Sequence, residues 1–166
     1  MIKKNILYIC IFCFFALTLC ACSAKNSKDV SMYDLKNAMA AATDKFSEMS
    51  YASSQDSDAA NIFTNISDMS YSKVGGFFIY YASDGTGNAD EIAVIRVKNI
   101  SDITEAKESL YAHLEKRKNL YSTYDKSQLS KLDRAKIVTN GSCAALIVAD
   151  DADNIVEAFH HYLGEA

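Results

Sequence analysis

Cys22, three histidines, a run of aspartates and Glu91 are the residues of this chain whose type and setting could do chemistry. Cys22 follows Ala21 at the end of a stretch in which Ile6 to Leu19 carry no charge, and Lys3 and Lys4 precede that stretch. A basic opening, an apolar run and a small residue before the cut are the parts of an export signal. The run is too short to span a bilayer, which takes about 20 apolar residues. His160 and His161 are neighbours, and adjacent helical residues do not form the i, i+4 pair that binds zinc. His113 lies alone inside a helical stretch and reads as a solvated or core-edge residue. Asp150, Asp151 and Asp153 lack the glycine and terminal glutamate of a calcium loop, and helix capping accounts for them. Asp84 to Gly87 joins two strands instead of opening a helix, which weakens a phosphate-cradle reading. The sequence contains no Gly-x-Ser-x-Gly elbow, so no hydrolase triad is supported. No metal or cofactor is expected.

Glu91 remains. Strand alternation places it on the same face as Ala93, Ile95 and Val97. A carboxylate at the edge of a core is costly unless a cation or hydrogen bonds compensate. Glu91 is therefore the one candidate binding residue, against the plainer reading of a strand-end carboxylate that reaches solvent or caps a backbone N–H. Tyr71, Tyr80, Tyr81, Tyr111, Tyr121 and Tyr124 could line a groove, although their spacing also suits core packing.

The segment Leu19-Cys20-Ala21-Cys22 resembles the lipobox of bacterial lipoproteins. That resemblance implies cleavage before Cys22 and diacylglycerol on its thiol. Cys20 is the rival lipidation site, but Leu19 before it is bulky where the protease needs a small residue. Cys20 is itself less usual than Ala, Ser or Thr between Leu19 and the small Ala21. An ordinary secretory signal or an uncleaved anchor are the other readings. On the lipobox reading residues 1–21 are signal peptide, 22–29 a lipid-anchored tether and 30–166 a single domain. Residues 23–29 would reach at most about 25 Å.

Of 5 cysteines, three leave with the signal and Cys22 is alkylated, so Cys143 alone stays free. No internal disulfide can form. Cys143 lies in an apolar run and is expected to be a buried, unreactive thiol. Losing Lys3 and Lys4 leaves 15 basic residues of the original 17 against 21 acidic ones, a mature charge of −6. That surface repels nucleic acid and anionic lipid. Membrane attachment then depends on the lipid anchor.

Ser31 starts a helix whose apolar face repeats through Met32, Leu35, Met39, Ala42, Phe46 and Met49. A short helix is predicted over 58–66, and strands over Val74 to Tyr81, with a bulge at Gly75-Gly76, and over Glu91 to Lys98. Ser101 caps a long helix with Ile103, Ala106, Leu110, Leu114, Tyr121 and Tyr124 buried. Strands over 135–139 and 142–149 flank Asn140-Gly141 as a type I′ hairpin, and Asp151 caps a last helix. The expected fold is α+β: a four-stranded, mainly antiparallel sheet from two αββ units, helices packed on one face, and a C-terminal helix.

Together the lipobox, the stretch Ala89-Asp90-Glu91-Ile92-Ala93, the Glu115-Lys116-Arg117-Lys118 helix, the Tyr124 region and the Val138-Thr139-Asn140-Gly141 hairpin resemble an uncharacterised family. Its members are small lipoproteins of Gram-positive, mostly anaerobic bacteria, known only as a domain of unknown function. Members often carry proline after the tyrosine that ends the long helix, and this chain has no proline. The resemblance implies location and approximate architecture, and transfers no catalytic residue. The leading expectation is a non-enzymatic binding or interaction module on the extracytoplasmic face of the cell membrane. Its partner would be an unidentified protein or envelope ligand. The alternative is a hydrolase-like cell-envelope enzyme.

Overall fold

A computed structural model of the chain describes residues 30–164. Cys22, the export signal and the tether lie outside the described residues. Five strands form one sheet in the order β1-β2-β3-β5-β4, every neighbouring pair antiparallel. These are β1 (Met49–Ser53), β2 (Val74–Ala82), β3 (Glu91–Val97), β4 (Lys136–Asn140) and β5 (Cys143–Val148). The helices are α1 (Met32–Ala40), α2 (Ala59–Phe63), α3 (Ile103–Tyr124), α4 (Leu129–Asp133) and α5 (Ala152–Leu163).

The fifth strand is a correction. Ser31 does cap α1, its hydroxyl accepting from the Asp34 N–H at 3.2 Å. The helix stops at Ala40, nine residues short of Met49. Thr43 turns the chain away, its hydroxyl donating to both Asp151 carboxylate oxygens at 2.8 and 2.9 Å. Met49 then begins β1, which pairs with β2 residue for residue from Met49 opposite Ala82 to Ser53 opposite Phe78. Tertiary contacts override a periodicity that runs on past the helix.

A second correction concerns the layers. Helices cover both faces of the sheet. Phe77, Ala93, Ile95 and Leu146 pack against Ala106, Leu110 and Leu114 of α3, Leu132 of α4 and Phe63 of α2. Phe78, Ile92, Val94, Ala145 and Ile147 face Leu35 and Met39 of α1 and Ile155 and Phe159 of α5. The two sets alternate along each strand, as the pleat requires. Both faces of β3 and β5 are thus apolar, as in sheets covered on each side.

The bulge falls where the sequence puts it, between Val74 and Gly76. A Cβ on Gly76 would come within 3.2 Å of both the Arg96 guanidinium and Met32. Arg96 is half-buried at this point. Its guanidinium donates to the Val30 and Gly75 carbonyls, both at 2.7 Å.

The last hairpin is displaced by one residue. Asn140 pairs with Cys143, so the two loop residues are Gly141 and Ser142, and only Gly141 has positive φ, at 53°. That is the pattern of a type II′ turn. Asn140 is held as a strand end by its side-chain amide, which donates to the Gly164 carbonyl at 2.7 Å. Tyr124, expected in the buried stripe of α3, is 74 % exposed. Cys143 is buried as expected, and burial pushes its thiol up to about 11.

Candidate functional site

Glu91 opens β3 and is buried on the α3 side of the sheet. Across from it, α3 presents His113, Arg117 and Tyr121 at successive four-residue steps, which stacks them along one helix face. His113 Nε2 lies 2.8 Å from Glu91 Oε1. A carboxylate only accepts, so Nε2 carries the proton. Arg117 Nη1 lies 3.1 Å from Glu91 Oε2, yet its N–H bonds do not point at that oxygen and it has no hydrogen-bond acceptor among the described residues. This contact is an ion pair whose strength comes from charge in a low-dielectric setting. The other guanidinium nitrogen donates to the Ala89 carbonyl at 3.1 Å, and the Tyr121 hydroxyl donates to the Asn88 carbonyl at 3.2 Å.

Burial alone pushes the Glu91 carboxyl up. The Arg117 charge and the His113 hydrogen bond outweigh it, and the net direction is below the ordinary glutamate value. Asp90, also buried, takes Lys131 at 2.6 Å and the Asn88 amide at 2.9 Å. Both carboxylates at the start of β3 are therefore compensated, each by its own cation.

Beside them lies an open cavity of about 500 Å³. Ala52, Ile62, Ile79 and Ala82 form its apolar wall, and Asn65, Tyr81, Asn88, Asp90, Glu91, Arg117 and Tyr121 its polar one. A largely apolar concavity of this size with a few fixed polar groups is what small-ligand sites are made of. His113 does not line it. The imidazole stands on the far side of the carboxylate it holds.

The structure separates the other candidates. Asp150 pairs with Lys131 and Arg134, Asp151 with Thr43 and Lys45, and Asp153 with Lys136. Asp84 folds back on Thr86 through two hydrogen bonds of 2.9 and 2.7 Å, closing its loop on itself. His160 packs edge-on against Phe159. Of the six tyrosines, Tyr81 and Tyr121 reach the cavity, Tyr71 joins Phe63 and Phe77 in the core, and Tyr80 lies with Phe46 on the opposite face. Sequence reasoning missed Arg117 and the role of His113. Their signal was the four-residue step from His113 to Arg117, which sets two polar side chains on one helix face beside the apolar stripe.

The fold is a mixed helix-and-sheet domain with a three-layered body and an open cavity at the start of β3. The chain belongs to the family described as Domain of unknown function (DUF4358), whose model matches residues 47–149. The match runs from the approach to β1 to the residue after β5 and contains Glu91, His113 and Arg117, while α1 and α5 lie outside it. No curated protein and no solved structure matches the chain.

Proposed function

We propose that this chain is a lipid-anchored, extracytoplasmic binding domain of a Gram-positive bacterium that holds a small ligand or a partner group in the cavity beside Glu91. The cavity itself is the observation that carries the binding part of the reading: its polar wall is fixed before any ligand arrives, by the Glu91–Arg117 pair and the Tyr121–Asn88 bond. Pre-organisation of this kind cuts the ordering cost of binding. The anchor rests on the lipobox resemblance at Cys22.

One observation favours the second reading, a cell-envelope hydrolase: a buried carboxylate and an imidazole converge at 2.8 Å. The geometry favours binding over it. Both Glu91 oxygens are occupied, its lowered pKa makes it a weak base, and His113 does not line the cavity. A general base must come within hydrogen-bond reach of the proton it removes.

Two experiments test the proposal. Cys22→Ala should abolish labelling by palmitate and release the protein from the membrane fraction or leave it as precursor; retained labelling assigns the lipid to another residue. For the cavity, Tyr81→Ala is cleaner than Glu91→Gln, because the glutamine would leave the Arg117 charge buried and unpaired. Tyr81 is 38 % exposed, so its loss should leave stability within about 0.5 kcal/mol. Capture of envelope components from native membranes should fall sharply with Tyr81→Ala, and unchanged capture would place binding elsewhere.

A further inference from the structure

The charged groups of the cavity wall are already matched within the chain: Glu91 with Arg117 and His113, and Asp90 with Lys131. Apart from the buried Arg117 Nη1, whose charge Glu91 already matches, the polar groups left over there are uncharged. The Asn65 carboxamide and the Tyr81 hydroxyl make no hydrogen bond among the described residues. Resting on the reading of this cavity as a binding site, we infer that its ligand is an uncharged, amide-bearing molecule with an aliphatic group, such as a segment of a short peptide.

Three features lead there. A carboxamide offers one acceptor oxygen and an N–H donor pair, and the group that satisfies both in one plane is another amide. A charged ligand finds no unmatched charge on Arg117 or Lys131, since each already has its counterion at 3.1 or 2.6 Å. An added carboxylate would also feel the like charge of Glu91 and Asp90, and an added ammonium that of Arg117. Finally, Ile62 and Ile79 supply an apolar wall that an aliphatic side chain of leucine size covers.

Three probes that share one isobutyl group separate these terms: N-acetyl-leucinamide, which is neutral, N-acetyl-leucine, an anion, and leucinamide, a cation. Each is titrated into isotope-labelled protein while the amide signals of Ala52, Asn65, Ile79 and Glu91 are followed by nuclear magnetic resonance. The neutral probe should shift these signals saturably and bind at least about tenfold tighter than either charged one. Asn65→Leu, an exposed substitution, should weaken the neutral probe about three- to tenfold while leaving the fold intact. Tighter binding of N-acetyl-leucine or leucinamide at the same residues overturns the neutral-amide inference and leaves the cavity as a binding site. No saturable shift from N-acetyl-leucinamide up to its solubility limit overturns the inference by itself, the cavity's role then being decided by the Tyr81→Ala capture. Unchanged binding in Asn65→Leu removes the amide pairing.

Discussion

Arg117→Met should cost the domain about 3–5 kcal/mol of stability, the usual penalty for leaving one member of a buried ion pair behind. Methionine keeps the length and apolar stem of the side chain, so most packing survives and the loss reports on the charge. Glu91, with a side chain 5 % exposed, then keeps only His113. The pH dependence should change sign as well. In the native protein the folded Glu91 carboxyl titrates below its unfolded value. Its contribution is therefore complete above the unfolded pKa, about 4.3, and is lost as the pH falls through the folded one. Without the Arg117 charge, burial dominates and the folded carboxyl moves up. A raised carboxyl favours the folded state at low pH, so Arg117→Met should become more stable as the pH is lowered from 7 to 5. Urea unfolding at both pH values measures this. Adding Glu91→Gln to Arg117→Met should recover much of the loss, since no charge is then stranded. A single variant as stable as the native protein, with the native pH slope, would show that Glu91 is solvated.

Phe78→Ala carries the second large effect, a loss of about 3–5 kcal/mol. Phe78 is fully buried on the sheet face covered by α1 and α5. On a sheet packed on one side only, the residue after Phe77 would face water and its truncation would be worth within about 0.5 kcal/mol. The midpoint of urea unfolding for Phe78→Ala against Phe77→Ala thus measures the layering directly. Comparable, large losses are expected from both. A near-neutral Phe78→Ala would contradict the second helical layer.

The second layer was in fact legible in β5. Cys143-Ala144-Ala145-Leu146-Ile147-Val148 is apolar without alternation and buried throughout, a pattern that belongs to a strand covered on each face. The bulge at Gly75-Gly76, the long α3 and the last helix could be read from local chemistry, because glycine and periodicity act over a few residues. The caps of these two helices could not, since Asp102 and not Ser101 precedes α3, and neither it nor Asp151 makes a capping hydrogen bond. β1 could not. Met49-Ser50-Tyr51-Ala52-Ser53 carries two serines and continues the helical spacing of α1, and only pairing with β2 makes it a strand. Glu91 was found by alternation along its own strand. Its partners were not, because His113 is 22 residues away and meets it only once α3 lies back across the sheet. The turn at Gly141 moved by one residue because Asn140 is tied to Gly164, a contact from another element.

The bond between Arg96 and the Val30 carbonyl fixes more than a strand end. Val30 is the point at which the chain preceding the domain meets the body, and it is pinned at the Arg96 end of β3. Glu91 and the cavity stand at the other end of that strand, five residues away, or about 17 Å at the rise of an extended chain. A domain anchored through its N-terminus is thus held by one pole and displays its cavity at the other. On the proposed lipid anchor, the cavity stands at the end of β3 away from the tether.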